Sequence, residues 1–258
     1  MSDDTAQLVR EPAAARPKLS HRSWMAIEAF VFVTVVFFTG WGADALARSG
    51  AEALLARNIQ TATGVAQPPT VKVRGFAFVP QVVRGAYDEV EVTALGITSG
   101  PLRIDRVDSR LYDVRVPFHD VLVQNIRRVG IGWSDQYVTL RYDDLNTYFV
   151  NTGRELQVAP ADGGQVVLTG AVDVLTKRVQ IRGTATLTAA GDGIRIAAGN
   201  LDTGVTSLDQ AERLLLSQRL ALTVPIGTLP FGHELKTVTV TKDAIQLEAV
   251  GNAIVLQP

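Results

Sequence analysis

The chain has 258 residues, with 25 Lys and Arg against 26 Asp and Glu, a net charge of −1, and 47% hydrophobic residues. That length supports one or two domains with a sizeable core, and so apolar a chain is not disordered throughout. Near-neutral charge argues against a nucleic-acid partner, and the absence of Cys excludes disulfides, thiolate metal sites, Cys nucleophiles and a lipid-modified N-terminal Cys.

Residues 1–23 form a polar leader carrying Arg10, Arg16, Lys18 and Arg22. Residues 24–42 follow as an apolar segment broken by one charge, Glu28, with the run FVFVTVVFF over 30–38 at its centre. Eighteen helical residues from Trp24 to Trp41 rise about 27 Å, close to the ~30 Å hydrocarbon core of a bilayer. Trp24 and Trp41 stand at the two ends, where indoles prefer the membrane interface. A buried core helix is the weaker reading, because β-branched and aromatic residues cover every face of the run. Four cations precede it and only Arg48 and Arg57 follow closely, so the positive-inside rule keeps the N-terminus in the cytoplasm and exports the rest. The expectation is a single-pass protein of the cell membrane with its C-terminal domain outside the cytoplasm. Ala43-Asp44-Ala45 is an A-x-A pattern, so release by cleavage after Ala45 stays open, but the long leader and long apolar run favour an uncleaved signal anchor.

Residues 43–69 read as an Ala-rich helix over 43–61 and a linker closed by Pro68-Pro69, either continuing the membrane helix as a stalk or packing on the domain. From Thr70 the period becomes two, and 70–258 reads as one exported β-rich domain. The clearest strand is 178–189: Val179, Ile181, Gly183, Ala185, Leu187 and Ala189 point one way and Arg178, Gln180, Arg182 and three Thr the other. Gly191-Asp192-Gly193 then reads as a hairpin turn. A second hairpin is expected across Lys242-Asp243, with Val238 and Val240 before it and Ile245, Leu247 and Ala249 after. In 101–116 the apolar positions Leu102 and Ile104, then Val107 and Leu111, then Val114 and Val116 slip in phase twice, which predicts β-bulges and a bent sheet. Short helices are expected over 117–129, over 143–152 with acidic caps, and from a capping box at Ser207–Gln210 to about Arg219.

No nucleophile elbow, phosphate loop, dinucleotide fingerprint, zinc-protease or EF-hand pattern occurs. His119-Asp120 are adjacent and so do not face each other on a helix. Asp105, Asp108 and Asp113 alternate with Arg103, Arg106, Arg110 and Arg115, which reads as a solvated strand face before a cation site. Asp143-Asp144 reads as a helix cap. No enzyme activity, catalytic residue, metal or cofactor is expected. The long apolar strand faces either line an open groove suited to acyl chains, each buried CH₂ contributing about 0.8 kcal/mol, or are closed into an ordinary core by the helices.

The segment Gly75-Phe76-Ala77-Phe78-Val79-Pro80-Gln81-Val82-Val83-Arg84-Gly85-Ala86-Tyr87-Asp88-Glu89-Val90 resembles the signature of the LmeA-like phospholipid-binding family of actinobacterial cell envelopes. The likeness continues at Leu111-Tyr112-Asp113-Val114, at Tyr142-Asp143-Asp144-Leu145-Asn146 and at Leu229-Pro230-Phe231-Gly232, and spans about 43–256. The departures are Ala77 and Val79-Pro80, which bear on the local turn. The resemblance implies an α+β, mainly β fold: an elongated, strongly curved antiparallel sheet wrapped with a few helices, of the tubular lipid-binding kind, preceded by the N-terminal transmembrane helix. It implies phospholipid binding in the cell envelope, in a periplasmic space, for maintenance or transfer of envelope lipid or lipoglycan, without catalysis. The residues expected at the lipid are Phe76, Phe78, Val82, Arg84, Tyr87, Leu102, Ile104, Leu111, Val179, Ile181, Leu187 and Phe231, with Gly75 and Gly85 as turn formers. Arg84 either meets a phosphate or bonds to neighbouring carbonyls. A non-enzymatic envelope scaffold binding protein partners through its sheet edges is the alternative, and the sequence identifies no such partner.

Overall fold

The computed structural model describes residues 21–63, 65–122, 129–174, 177–202, 210–226 and 233–256. The chain divides into two compact units, residues 1–43 and residues 44–258. The described part of the first is the N-terminal portion of helix α1 (His21–Thr63). From Phe30 to Trp41 its apolar side chains are exposed, Phe30 by 72%, and no described part of the chain covers them. Two of its hydroxyls are satisfied within the helix: Thr34 Oγ1 donates to the Phe30 carbonyl and Thr39 Oγ1 to that of Val35, both at 2.7 Å. That arrangement suits a helix in an apolar solvent, where a polar group needs an internal partner.

The second unit is mainly β. Its first sheet holds β1 (Thr70–Arg74), β2 (Ala86–Ser99), β3 (Leu102–Arg115), β4 (Val129–Arg141), β10 (Glu234–Val240) and β11 (Ala244–Leu256), in the order β1-β2-β3-β4-β11-β10. The second sheet holds β5 (Leu156–Pro160), β6 (Val166–Val174), β7 (Lys177–Ala190), β8 (Gly193–Asp202) and β9 (Leu222–Pro225), adjacent in chain order. All pairings are antiparallel, and the sheet is strongly curled into a half-barrel. The remaining helices are α2 (Phe78–Arg84), α3 (Phe118–Leu122), α4 (Tyr142–Asn151) and α5 (Gln210–Leu220).

Strand β7 follows the alternation read from its residues: Val179, Ile181, Ala185 and Leu187 are buried while Arg178, Gln180, Arg182, Thr186 and Thr188 are exposed. Gly191-Asp192 turns it into β8, with Gly191 left-handed at φ 61°. The β10–β11 hairpin is also present.

The two phase slips of β3 are real, but they are not one-sided bulges. Register between β2 and β3 stays constant from Ala86–Arg115 to Ser99–Leu102, while the ladder skips Asp88/Asp113 and Gly96/Asp105. The crease at Asp113 crosses the next two strands, skipping Gly132 of β4 and Ala253 of β11. On either side of it the buried positions are three apart: Tyr87 to Val90, Leu111 to Val114, Ile131 to Ser134. Facing strands each spend one extra residue, so all keep their apolar side inward without losing pairing. Asp113 takes a left-handed φ of 51° at the crease, and a Cβ on Gly132 would lie 3.0 Å from that of Asp113.

Two helix expectations need correction. The segment 117–129 is helical only over Phe118–Leu122, and Val129 already belongs to β4, where it pairs with Leu256; residues 123–128 lie outside the described residues. Helix α4 starts at Tyr142, with Arg141 at its N-cap, so Asp143 and Asp144 lie in the first turn, beside the amide dipoles, and do not cap it. The capping box before α5 depends on 207–209, which lie outside the described residues. Residues 43–61 combine both alternatives, continuing the apolar helix and packing through Ala51, Leu55, Ala56 and Ile59 on the sheet.

Candidate functional site

The inward face of the first sheet carries two apolar clusters with a polar belt between them. The larger cluster lies between the two sheets. It joins Leu102, Ile104 and Val107 of β3 and Ile245, Leu247 and Ala249 of β11 to Val179, Ile181, Ala185 and Leu187 of β7. Phe149 of α4 and Leu216 and Leu220 of α5 pack into the same cluster. The second cluster joins Val71 and Val73 of β1, Phe78 of α2, Tyr87 and Val90 of β2, Leu111, Val114 and Val116, and Ile131. Between them lie Ser109, Gln136 and Ser134, all buried, with His233 beside them. Gln136 Nε2 donates to Ser109 Oγ at 3.2 Å, and Ser134 Oγ lies 2.8 Å from His233 Nε2.

Of the twelve residues expected at the lipid, Leu102, Ile104, Val179, Ile181 and Leu187 come together in the larger cluster. Phe78, Tyr87 and Leu111 meet in the second, where Val82 packs half-buried and the Phe78 and Tyr87 rings lie 6.3 Å apart. Phe76 is 97% exposed, so the two Phe of the motif take opposite sides of the chain. Arg84 is exposed and its Nε donates to the Pro80 carbonyl at 3.2 Å, the local bond that was one of its two readings. Phe231 lies outside the described residues. The apolar faces are closed, but mainly by one another and only in part by helices α4 and α5, which differs from the closure by helices alone that was the second alternative for the long strands: Leu102 and Ala185 are fully buried.

The recognisable motifs hold the fold together. Asp44, Arg48 and Glu52 form one stripe of α1 at i, i+4, i+8. The Asp44 carboxylate accepts the amides of Phe78 (2.9 Å) and Val79 (2.7 Å), Arg48 donates to the Gly75 carbonyl (3.1 Å), and Glu52 accepts the Val73 amide (2.7 Å). Gly75 has φ 114°, and a Cβ there would come within 2.5 Å of Gln81 Nε2; Gly85 has φ 64°, with the Val116 carbonyl 2.6 Å from a Cβ position. Both are therefore turn formers. In the motif at 142–146, Tyr142 Oη donates to the Thr241 carbonyl at 2.6 Å, and Asn146 exchanges two hydrogen bonds with the backbone of Val158, tying α4 to β5. Asp144 pairs with Arg103 at 3.2 Å.

The opposite face of β1–β4 bounds a separate open groove of about 640 Å³, lined among others by Lys72, Glu91, Arg106, Asp108, Arg110 and Tyr137. Arg106 grips Asp108 through two nitrogens (2.6 and 2.9 Å), and Thr93 Oγ1 adds a third bond at 2.7 Å. Burial alone would raise the Asp108 carboxyl, but these donors hold it below its ordinary value. Asp113 is likewise paired with Arg115. The three acids are thus spread along a charged face, and among the described residues no group of three metal-ligating side chains occurs. A groove with such walls is poorly suited to acyl chains.

The Ser134–His233 contact joins residues 99 apart in sequence, and no local pattern announces it. It has the spacing of a nucleophile and base, but Ser134 is 1% exposed at mid-strand, where a substrate carbonyl has no approach. His119 sits 3.8 Å from its neighbour Asp120 on an exposed turn of helix.

The family model for LmeA-like phospholipid-binding proteins matches residues 42–250, a span that takes in every described strand except the end of β11. No curated protein and no solved structure matches the chain.

Proposed function

The chain belongs to the LmeA-like phospholipid-binding family, and from that membership we propose that it is a membrane-tethered envelope protein that holds phospholipid acyl chains between its two sheets. The family match carries this reading. Its physical support is the cluster between the sheets, whose buried members are apolar on both sides. Among the described residues, strands of one sheet form no ladder with strands of the other. Parting them exchanges one apolar neighbour for another and breaks no backbone ladder, so an acyl chain entering there gains about 0.8 kcal/mol for each methylene withdrawn from water. The α1 helix supplies the tether, and the protein works by binding, in maintenance or transfer of envelope lipid, without chemistry of its own.

The test is retention of lipid. The full chain, purified in detergent and washed until lipid around the helix has exchanged away, is expected to keep phospholipid in stoichiometric amount, read by phosphorus assay and mass spectrometry of the organic extract. Complete loss of phospholipid from a still folded chain contradicts the reading.

A further inference from the structure

We propose that Phe76, Val79 and Val83 form a second membrane contact, a rigid apolar patch that dips into the lipid interface beside the tether. Phe76 is 97% exposed, and Val79 and Val83 are 45% and 59% exposed, one helical turn apart on α2. An aromatic side chain held so fully in water, beside two further apolar ones, marks a contact surface. Nor is the loop free to fold it away. Asp44 and Arg48 fix the backbone on both sides of Phe76, at Phe78, Val79 and Gly75, and Gly75 takes a backbone conformation that Gln81 and Asp88 hem in.

The occupant is identified by reach. The proposal rests on reading residues 24–41 as the membrane span. Asp44, which holds the first two amides of α2, follows Trp41 by three residues, and three residues span at most about 11 Å even when extended. The interfacial zone on each side of the hydrocarbon core is about 5–8 Å deep, so Asp44 lies within about 6 Å of its outer edge. The patch is therefore confined near a lipid surface. Arg84, exposed beside Val83, bonds the Pro80 carbonyl through Nε alone, which leaves its Nη groups to meet the phosphates while the apolar side chains enter.

The chain has no Cys, so Phe76→Cys and Val150→Cys each give a single labelling site; Val150 is 70% exposed on α4. Each full-length variant is labelled with an environment-sensitive dye and reconstituted in phosphatidylcholine–phosphatidylglycerol vesicles. Both are expected to float with the vesicles. The dye at position 76 should shift to the blue, be quenched by lipids carrying a shallow nitroxide, and be severalfold less accessible to aqueous iodide than the dye at 150. Equal iodide access at both positions in floating chains overturns the patch alone. Failure to float overturns the membrane span and the patch with it. Phospholipid retention by the domain is read separately and is untouched by either outcome.

Discussion

Ala185→Phe is expected to strip the purified chain of most of its retained phospholipid while the sheets stay folded. Ala185 is fully buried at the centre of the second sheet, paired with Val166 on one side and Ala198 on the other, and belongs to the cluster shared with the first sheet. A phenyl ring there occupies the space proposed for an acyl chain. Excluding about four methylenes forfeits about 3 kcal/mol, roughly a hundredfold in affinity. In a core that never opens, the same ring is simple overpacking, costing about 1–3 kcal/mol of stability with no change in lipid. Ala189→Phe, further along the same face and only partly buried, is the milder companion. Lipid retention at the wild-type level in both folded variants would contradict acyl binding between the sheets.

The second large effect concerns the proposed tether. Val33 and Val36 lie at the middle of the apolar run, exposed by 64% and 53%. One Arg at a helix centre costs about 2.5–3.5 kcal/mol on insertion scales, so Val33→Arg with Val36→Arg costs about 5–7 kcal/mol. The doubly substituted chain should leave the carbonate-resistant membrane fraction and appear among soluble proteins, with the strand signature of its circular dichroism retained. Continued resistance to carbonate extraction would rule out this helix as the anchor.

Much of the fold was legible because burial on one side imposes a period on the sequence. Strand β7 could be read residue by residue, and the slips in β3 announced a crease. That four strands share the crease was not legible, since the pairing of β4 with β11 joins segments more than a hundred residues apart. The division into two sheets stayed hidden for the same reason. At the site, alternation identified Val179, Ile181 and Leu187 as one apolar face and Leu102 with Ile104 as the start of another; that the two faces meet was not legible. The opposite fates of Phe76 and Phe78 were not, because they depend on the left-handed turn at Gly75 and on the hold of Asp44, whose charge in the sequence resembles any other on a helix. Ser134 and His233 meet only through the third dimension.

The central claim, that acyl chains lie between the two sheets, is tested most directly by cross-linking from the lipid itself. A phospholipid with a photoactivatable diazirine midway along one acyl chain is loaded onto the full chain, irradiated, and the adducts mapped by peptide mass spectrometry. Adducts on the inward positions of β3 and β7, among them Ile104, Val179, Ile181 and Leu187, are the predicted result. Adducts confined to the apolar run of residues 24–41, with none on either sheet, would contradict it.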